Sequence, residues 1–397
     1  MLNFNKLSSK ISNISLELSQ ESEARSKRLQ RALEIHDEAV INDLLLVERV
    51  IANNEKFPWM VGRPIEKLDG IKSLPNNKPE KFTVISTDGS QIAPSHHEIA
   101  LCYLVNVGLI MYTYGTGEKP IQESEPFVYN TDDDPFASGQ SKKNTPIFSE
   151  DTIAIKRMLA EMSELANLCK KAKDRGHPSI AMVDGTLITF NIANQMWPEE
   201  YQEKILAKYL SFLDEIKSLG VPVCGYISNS RRNDYVNLLR VQTCPHKEID
   251  CQNLCSDREA CDEIVPLYDR QIWLNKLKVG ERSPIFASSS NILEKYNKEH
   301  RICFFYLNVG DGEIARIEIP RWVAENEEYL ERVHCIVYDQ VLKGRGYPIV
   351  IQEAHNQAVV KGPDRAQFYA MLSRRMISDH MTVSISNKEL KKRGGIA

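Results

Sequence analysis

Two aspartates, far apart in the chain, close apolar segments and are each followed by glycine and a small hydroxyl residue: Asp88 in TVISTDGSQ and Asp184 in SIAMVDGTLI. Asp-Gly after an apolar run is ordinarily a tight turn, because glycine accepts the positive φ that hairpins demand. A third pair, Asp311-Gly312, has apolar strand residues on both sides and reads as such a turn. Asp88 and Asp184 differ, since GSQIAPSHH and GTLITFNIANQMW do not continue as clean second strands. Their other reading is that of carboxylates fixed at strand ends. A rigid sheet there can converge hard oxygen donors on Mg²⁺ or Mn²⁺, which polarise a phosphate and activate water. The helix before the second strand could add a third carboxylate, since Glu161 and Glu164 are three residues apart and can share a face. Spacing does not choose between them.

Other candidates carry less on their own. His355 lies in the mostly apolar IVIQEAHNQAVV, where a histidine is more often a core residue than a ligand. Tyr347, eight residues earlier, carries by itself a packing role. Arg231, Arg232 and Arg282 are candidate phosphate clamps, because a guanidinium matches phosphate geometry, although surface solvation is the commoner role of each.

CPHKEIDCQNLCSDREAC places Cys244, Cys251, Cys255 and Cys261 at spacings of seven, four and six. Four thiols in so short a polar segment are candidates for structural Zn²⁺ or an iron-sulfur cluster, with His246 as a spare ligand. Four unligated cysteines are weighed evenly against that. Cys102, Cys169, Cys224, Cys303 and Cys335 sit in apolar segments and read as core packing.

The elements that must position these groups follow from periodicity. Residues 8–54 have helical spacing without Pro or Gly, giving an N-terminal helical region (1–60) of one long helix or two. A Pro- and Lys-rich connection leads to the main domain, taken as 80–380 with a Cys-rich insert at 240–265 and a basic tail at 381–397. Strands are expected at Asp88, within Glu98 to Gly115, at Asp184, at VPVCGYIS, and on both sides of Asp311. Helices are expected from a Ser149 cap to Arg175, from Glu199 to Leu219, over Tyr347 to Gly362, and around DRAQFYAMLSRRM. NTDDDPFASGQSKKNTP reads as an exposed loop. Strand, helix, strand, helix, strand is the grammar of an α/β layer with parallel segments.

The 397 residues are 42% hydrophobic and 26% charged with a net charge of −4, which argues against disorder and against a membrane protein. The charge neither advertises nor excludes nucleic acid. With no apolar export core at the N-terminus and an odd number of cysteines, the expectation is a cytoplasmic protein with reduced thiols.

The ordered set TDGSQ, KRMLAEMSELA, MVDGTLI, VPVCGYISNSRR and GYPIVIQEAHNQAVV resembles the NurA family of DNA-end-processing nucleases, over roughly residues 80–375. GERSPIF and EIARIEIPRWVA are similar to segments of the longer bacterial members. The resemblance implies an RNase-H-like α/β fold, a mixed sheet flanked by helices, and a homodimer. It also implies Mn²⁺- or Mg²⁺-dependent 5′-to-3′ exonuclease and single-strand endonuclease activity, in double-strand-break resection with a HerA-type hexameric ATPase. By the same resemblance Asp88, Asp184 and Glu161 or Glu164 hold metal, while His355 and Tyr347 are active-site residues. Two other classes compete. A metal-dependent phosphomonoesterase or nucleotidase would use similar carboxylates on small esters, and a catalytically silent scaffold would bind DNA and the ATPase through the N-terminal helix.

Overall fold

In chain order the helices and strands begin with α1 (Phe4–Ile41), α2 (Asp43–Ala52), β1 (Arg63–Pro64), β2 (Phe82–Ile92), β3 (Cys102–Tyr114) and β4 (Ile121–Asn130). They continue with α3 (Glu150–Arg175), β5 (Ser179–Asp184), α4 (Phe190–Ala193), α5 (Glu199–Ser218), β6 (Val223–Ile227), α6 (Asp234–Thr243), α7 (Asp269–Lys276) and β7 (Phe286–Ala287). The last are β8 (Ile302–Gly310), β9 (Glu313–Pro320), α8 (Arg321–Ala324), α9 (Glu327–Lys343), α10 (Ile349–Ala358) and α11 (Gly362–Ser378). This computed structural model describes residues 3–53, 57–93, 102–130, 150–193, 197–246, 248–251, 255 and 260–379. The expected Ser149 cap, the loop from Thr131 to Pro146 and the basic tail lie outside them.

The chain divides into two units, Met1–Pro75 with Tyr226–Ala324, and Asn76–Gly225 with Glu325–Ala397. In the second, the strands follow the order β6-β5-β2-β3-β4. β2, β3 and β4 form an antiparallel meander, with Phe82 opposite Tyr114 and Cys102 opposite Asn130. β5 returns parallel to β2, Thr83 beside Ser179 and Thr87 beside Val183. The meander running into parallel strands through helical crossovers is the RNase-H-like mixed sheet that the resemblance implied. α3 makes the first crossover because its apolar stripe of Ile155, Leu159, Met162, Leu165 and Cys169 is buried. α5 buries Ile205, Leu206, Tyr209, Leu213 and Ile216 in the same manner.

In the first unit, β1, β7, β8 and β9 pair antiparallel. Asp311 and Gly312 turn β8 into β9 at φ 49° and 76°, as the sequence predicts. Ala32, Ile35 and Ala39 of α1 and Leu46 and Val50 of α2 join Tyr235, Trp273, Phe286 and Phe304 in one apolar core. The N-terminal helices therefore pack on their own unit, although Ile41, Leu44 and Leu45, counted among the apolar positions, remain exposed. A fully buried guanidinium, Arg316, bonds Asp234 and Glu318 at 3.0 Å each and lies over the Phe304 ring. Among the described residues no helix is long and apolar enough to cross a membrane.

Candidate active site

β2 runs straight through Asp88-Gly89, pairing them with Gly108 and Val107 of β3, so this Asp-Gly is not a turn. Asp184 is the last residue of β5. Because Thr87 stands beside Val183 in a parallel register, the next residues on each strand, Asp88 and Asp184, are neighbours on one face. Adjacent strands lie about 4.8 Å apart, so two carboxylates are held side by side by the sheet itself.

α3 brings the third. The Thr87 hydroxyl donates to the Glu161 carbonyl at 3.0 Å, tying helix to strand. Gly89 permits the approach, since a Cβ there would come within 2.7 Å of Arg157 Cγ. Arg157 Nε lies 3.4 Å from Glu161 Oε1, one helical turn away. Of the two candidate glutamates it is Glu161 that feels both aspartates. Glu164 accepts instead from Asn167 on its own helix.

The turn between α9 and α10 and the last helical turn of α10 complete the site. Tyr347 donates its hydroxyl to Asp184 Oδ1 at 2.8 Å, and His355 Nδ1 lies 2.8 Å from Asp88 Oδ2. α10 can lie this low on the sheet because position 108 is glycine. A Cβ there would meet the Ala358 amide nitrogen at 2.7 Å. Asn106 (2.8 Å) and Ser90 both donate to the Ala358 carbonyl and pin the end of the helix. His355 is thus no core residue: its side chain is 64% exposed and points at Asp88.

Two of the three acids here, Glu161 and Asp184, hold their protons above the usual carboxylate range. Burial pushes the Glu161 carboxyl up to about 8, Arg157 opposes this, and Asp88 and Asp184 add to it. Burial likewise raises Asp184, with Asp88 adding to the shift and the Tyr347 hydrogen bond and His355 opposing it. Such a set is stabilised by positive charge, and its donors are the hard oxygens that Mg²⁺ and Mn²⁺ take, so the residues fit a divalent-cation centre. A cavity of about 350 Å³ opens against Glu161 and Asp184, lined also by Thr87, Arg157, Met158 and Thr186.

The sequence matches the NurA domain family over residues 82–360. The chain belongs to the NurA family. The match runs from the first residue of β2 to just beyond α10 and so contains all five residues placed above. Among solved structures the chain is similar to the NurA nuclease from Sulfolobus solfataricus, at 13% identity over 87% of this chain and 98% of that one, with a TM-score of 0.46. It is also similar to LC9-RNase H1, at 7% identity over 37% and 63% (TM-score 0.21). Thermus thermophilus RuvC is similar at 12% identity over 46% and 89% (TM-score 0.14). No curated protein matches it.

The remaining candidates are placed as follows. Arg231 is exposed and Arg232 half-buried. Arg282 must be corrected as a phosphate clamp, because it is buried and its guanidinium forks onto Glu66 at 2.8 and 3.0 Å. The five cysteines read as packing residues are buried, and Cys244, Cys251, Cys255 and Cys261 are half-buried free thiols. Sequence reasoning missed Arg157, Asn106 and Gly108. Arg157 was visible as the residue one turn before Glu161, whereas Gly108 matters only through a helix that returns some 250 residues later.

Proposed function

We propose that this NurA protein is a divalent-metal-dependent deoxyribonuclease. The parallel register that sets Asp88 beside Asp184, within electrostatic reach of Glu161, is the observation that carries the reading. Asp88, Asp184 and Glu161 would hold Mn²⁺ or Mg²⁺, and the oxygens of these three do not all come within 4.8 Å of one another among the described residues, a spread that suits two ions. Bound there, the ions supply polarisation of the scissile phosphate and an acidified attacking water.

The chain's own groups do the rest. His355 fixes the orientation of the Asp88 carboxylate and, being exposed, can meet the departing oxygen of the substrate. Tyr347 holds Asp184 in one rotamer and keeps its charge by donating to it. Arg157, at the wall of the cavity, offers a guanidinium to a phosphate oxygen. Glu161 retains its proton at neutral pH until positive charge enters, then releases it.

The NurA resemblance further supports 5′-to-3′ exonuclease and single-strand endonuclease action at broken DNA ends, a homodimer, a HerA-type ATPase partner and a cytoplasmic setting. The test is digestion of linear and single-stranded DNA with Mn²⁺, with Mg²⁺ and with chelator, beside small phosphate esters. Metal-dependent loss of DNA without ester hydrolysis is expected, with Asp88→Asn inactive. Ester hydrolysis alone, or DNA cleavage undiminished in Asp88→Asn, overturns the reading.

A further inference from the structure

The four cysteines from Cys244 to Cys261 belong to no part of the site above, yet both ends of the stretch that carries them are anchored. Cys244 directly follows α6, and Cys261 lies in the short 3-10 turn Ala260–Asp262. Arg240 on α6 joins the two ends, its Nε donating to the Cys261 carbonyl at 3.0 Å and a terminal nitrogen to Asp262. Arg49 on α2 holds the other wall, donating to the carbonyls of Val241 (3.0 Å), Cys244 (2.8 Å) and His246. Cys244 and Cys251 pack against the same apolar core.

The chain thus doubles back and gathers four reduced, half-buried thiols. Cys251 lies within electrostatic reach of Cys255, Cys261 and Cys244. The five packing cysteines differ, being buried in strands and helices away from this segment. A polar loop has no packing reason to collect four thiols, and soft sulfur donors select zinc or iron-sulfur centres. Single tetrahedral zinc, with bonds of about 2.3 Å, would draw its sulfurs to about 3.8 Å apart. Among the described residues no three of these sulfurs come within 4.8 Å of one another, a separation that suits a wider, multinuclear occupant.

We propose that Cys244, Cys251, Cys255 and Cys261 ligate an iron-sulfur cluster that staples this loop to α6 and α2. Each thiol gives its proton to solvent on ligation, and the cationic iron-sulfide core offsets part of the charge of the four thiolates. Arg240, which hydrogen-bonds Cys261, then also tunes the cluster.

The test is metal and sulfide analysis of the full-length protein, purified anaerobically and reconstituted with Fe²⁺, Fe³⁺ and sulfide, beside Cys255→Ser and Cys335→Ser. Wild type and Cys335→Ser are expected to hold iron and acid-labile sulfide in equal amounts, with thiolate-to-iron absorption, and Cys255→Ser to lose most of both. Should Cys255→Ser not fold, chelator extraction of the wild type gives the second readout, four newly titratable thiols appearing as iron leaves. Zinc as the only bound metal, no metal at all, iron held equally by Cys255→Ser, or unchanged thiol reactivity after extraction overturns the proposal.

Discussion

His355 Nδ1 lies 2.8 Å from Asp88 Oδ2, across 267 residues of sequence, and the histidine is largely exposed while the aspartate is mostly covered. A group so placed contributes little to stability and much to orientation. His355→Ala is therefore expected to lower the rate of DNA cleavage about 10²-fold or more, within the range of a positioned acid-base group, while the melting temperature barely moves. Turnover on linear DNA beside a thermal melt checks this, and equal activity in the variant would remove His355 from the site.

The Tyr347 hydroxyl opposes the upward shift of the Asp184 carboxyl. Tyr347→Phe removes that hydrogen bond, so Asp184 holds its proton to higher pH. The acid limb of the pH–rate profile is expected to move to higher pH, with a rate loss of about tenfold near neutrality. A profile superimposable on that of the wild type would show that the bond does not act on the reacting groups.

Glu161 keeps its proton to about pH 8 in the fold, against 4.5 for the ordinary group. Between those values the folded protein binds more protons than the unfolded chain. The contribution of Glu161 to stability is thus fully present below pH 4.5 and is lost as pH rises through 8 in metal-free protein. Mn²⁺ must displace the proton, so its affinity is expected to rise with pH, by up to about tenfold per unit below 8, with proton release visible by calorimetry in buffers of different ionisation enthalpy. Affinity independent of pH would contradict a protonated Glu161.

Gly108→Ala inserts a methyl group into the backbone of α10, which can yield only by moving. A loss of about 1–3 kcal/mol is expected from overpacking, together with loss of activity as His355 is carried away from Asp88. Denaturant melts and DNA cleavage measure the two. In the other unit, Arg316→Ala leaves Asp234 and Glu318 buried without their cation, for which a loss of about 3–5 kcal/mol is expected.

The two aspartates and a helix carboxylate were legible because strand ends and helix faces leave local patterns, whereas Tyr347 and His355 came from the family resemblance alone. The contrast between Asp311-Gly312, with strands on both sides, and the two other Asp-Gly pairs separated a hairpin from two strand-borne carboxylates. The choice of Glu161 over Glu164 was not legible, since it depends on the rotation of α3 over β2, set by Gly89 and by Thr87 reaching a helix carbonyl. His355 looked like a core residue because its neighbours Val350, Ile351 and Ala354 are buried, but a ten-residue helix keeps an outer face. Arg282 looked free because its partner, Glu66, lies 216 residues earlier. The alternation of strands and helices in the second unit was legible, but its edge strand β4 was not among the expected strands, and the sharing of one core by α1 and Trp273 rests on contacts across more than two hundred residues.

The central claim is that neighbouring strands present Asp88 and Asp184 as one cation cage, and Mn²⁺ titration by calorimetry of wild type, Asp88→Asn and Asp184→Asn tests it most directly. Two ions per chain in the wild type, with binding weakened at least tenfold in each variant while DNA is still bound, is the predicted result. Mn²⁺ binding of wild-type strength in either variant would contradict the account.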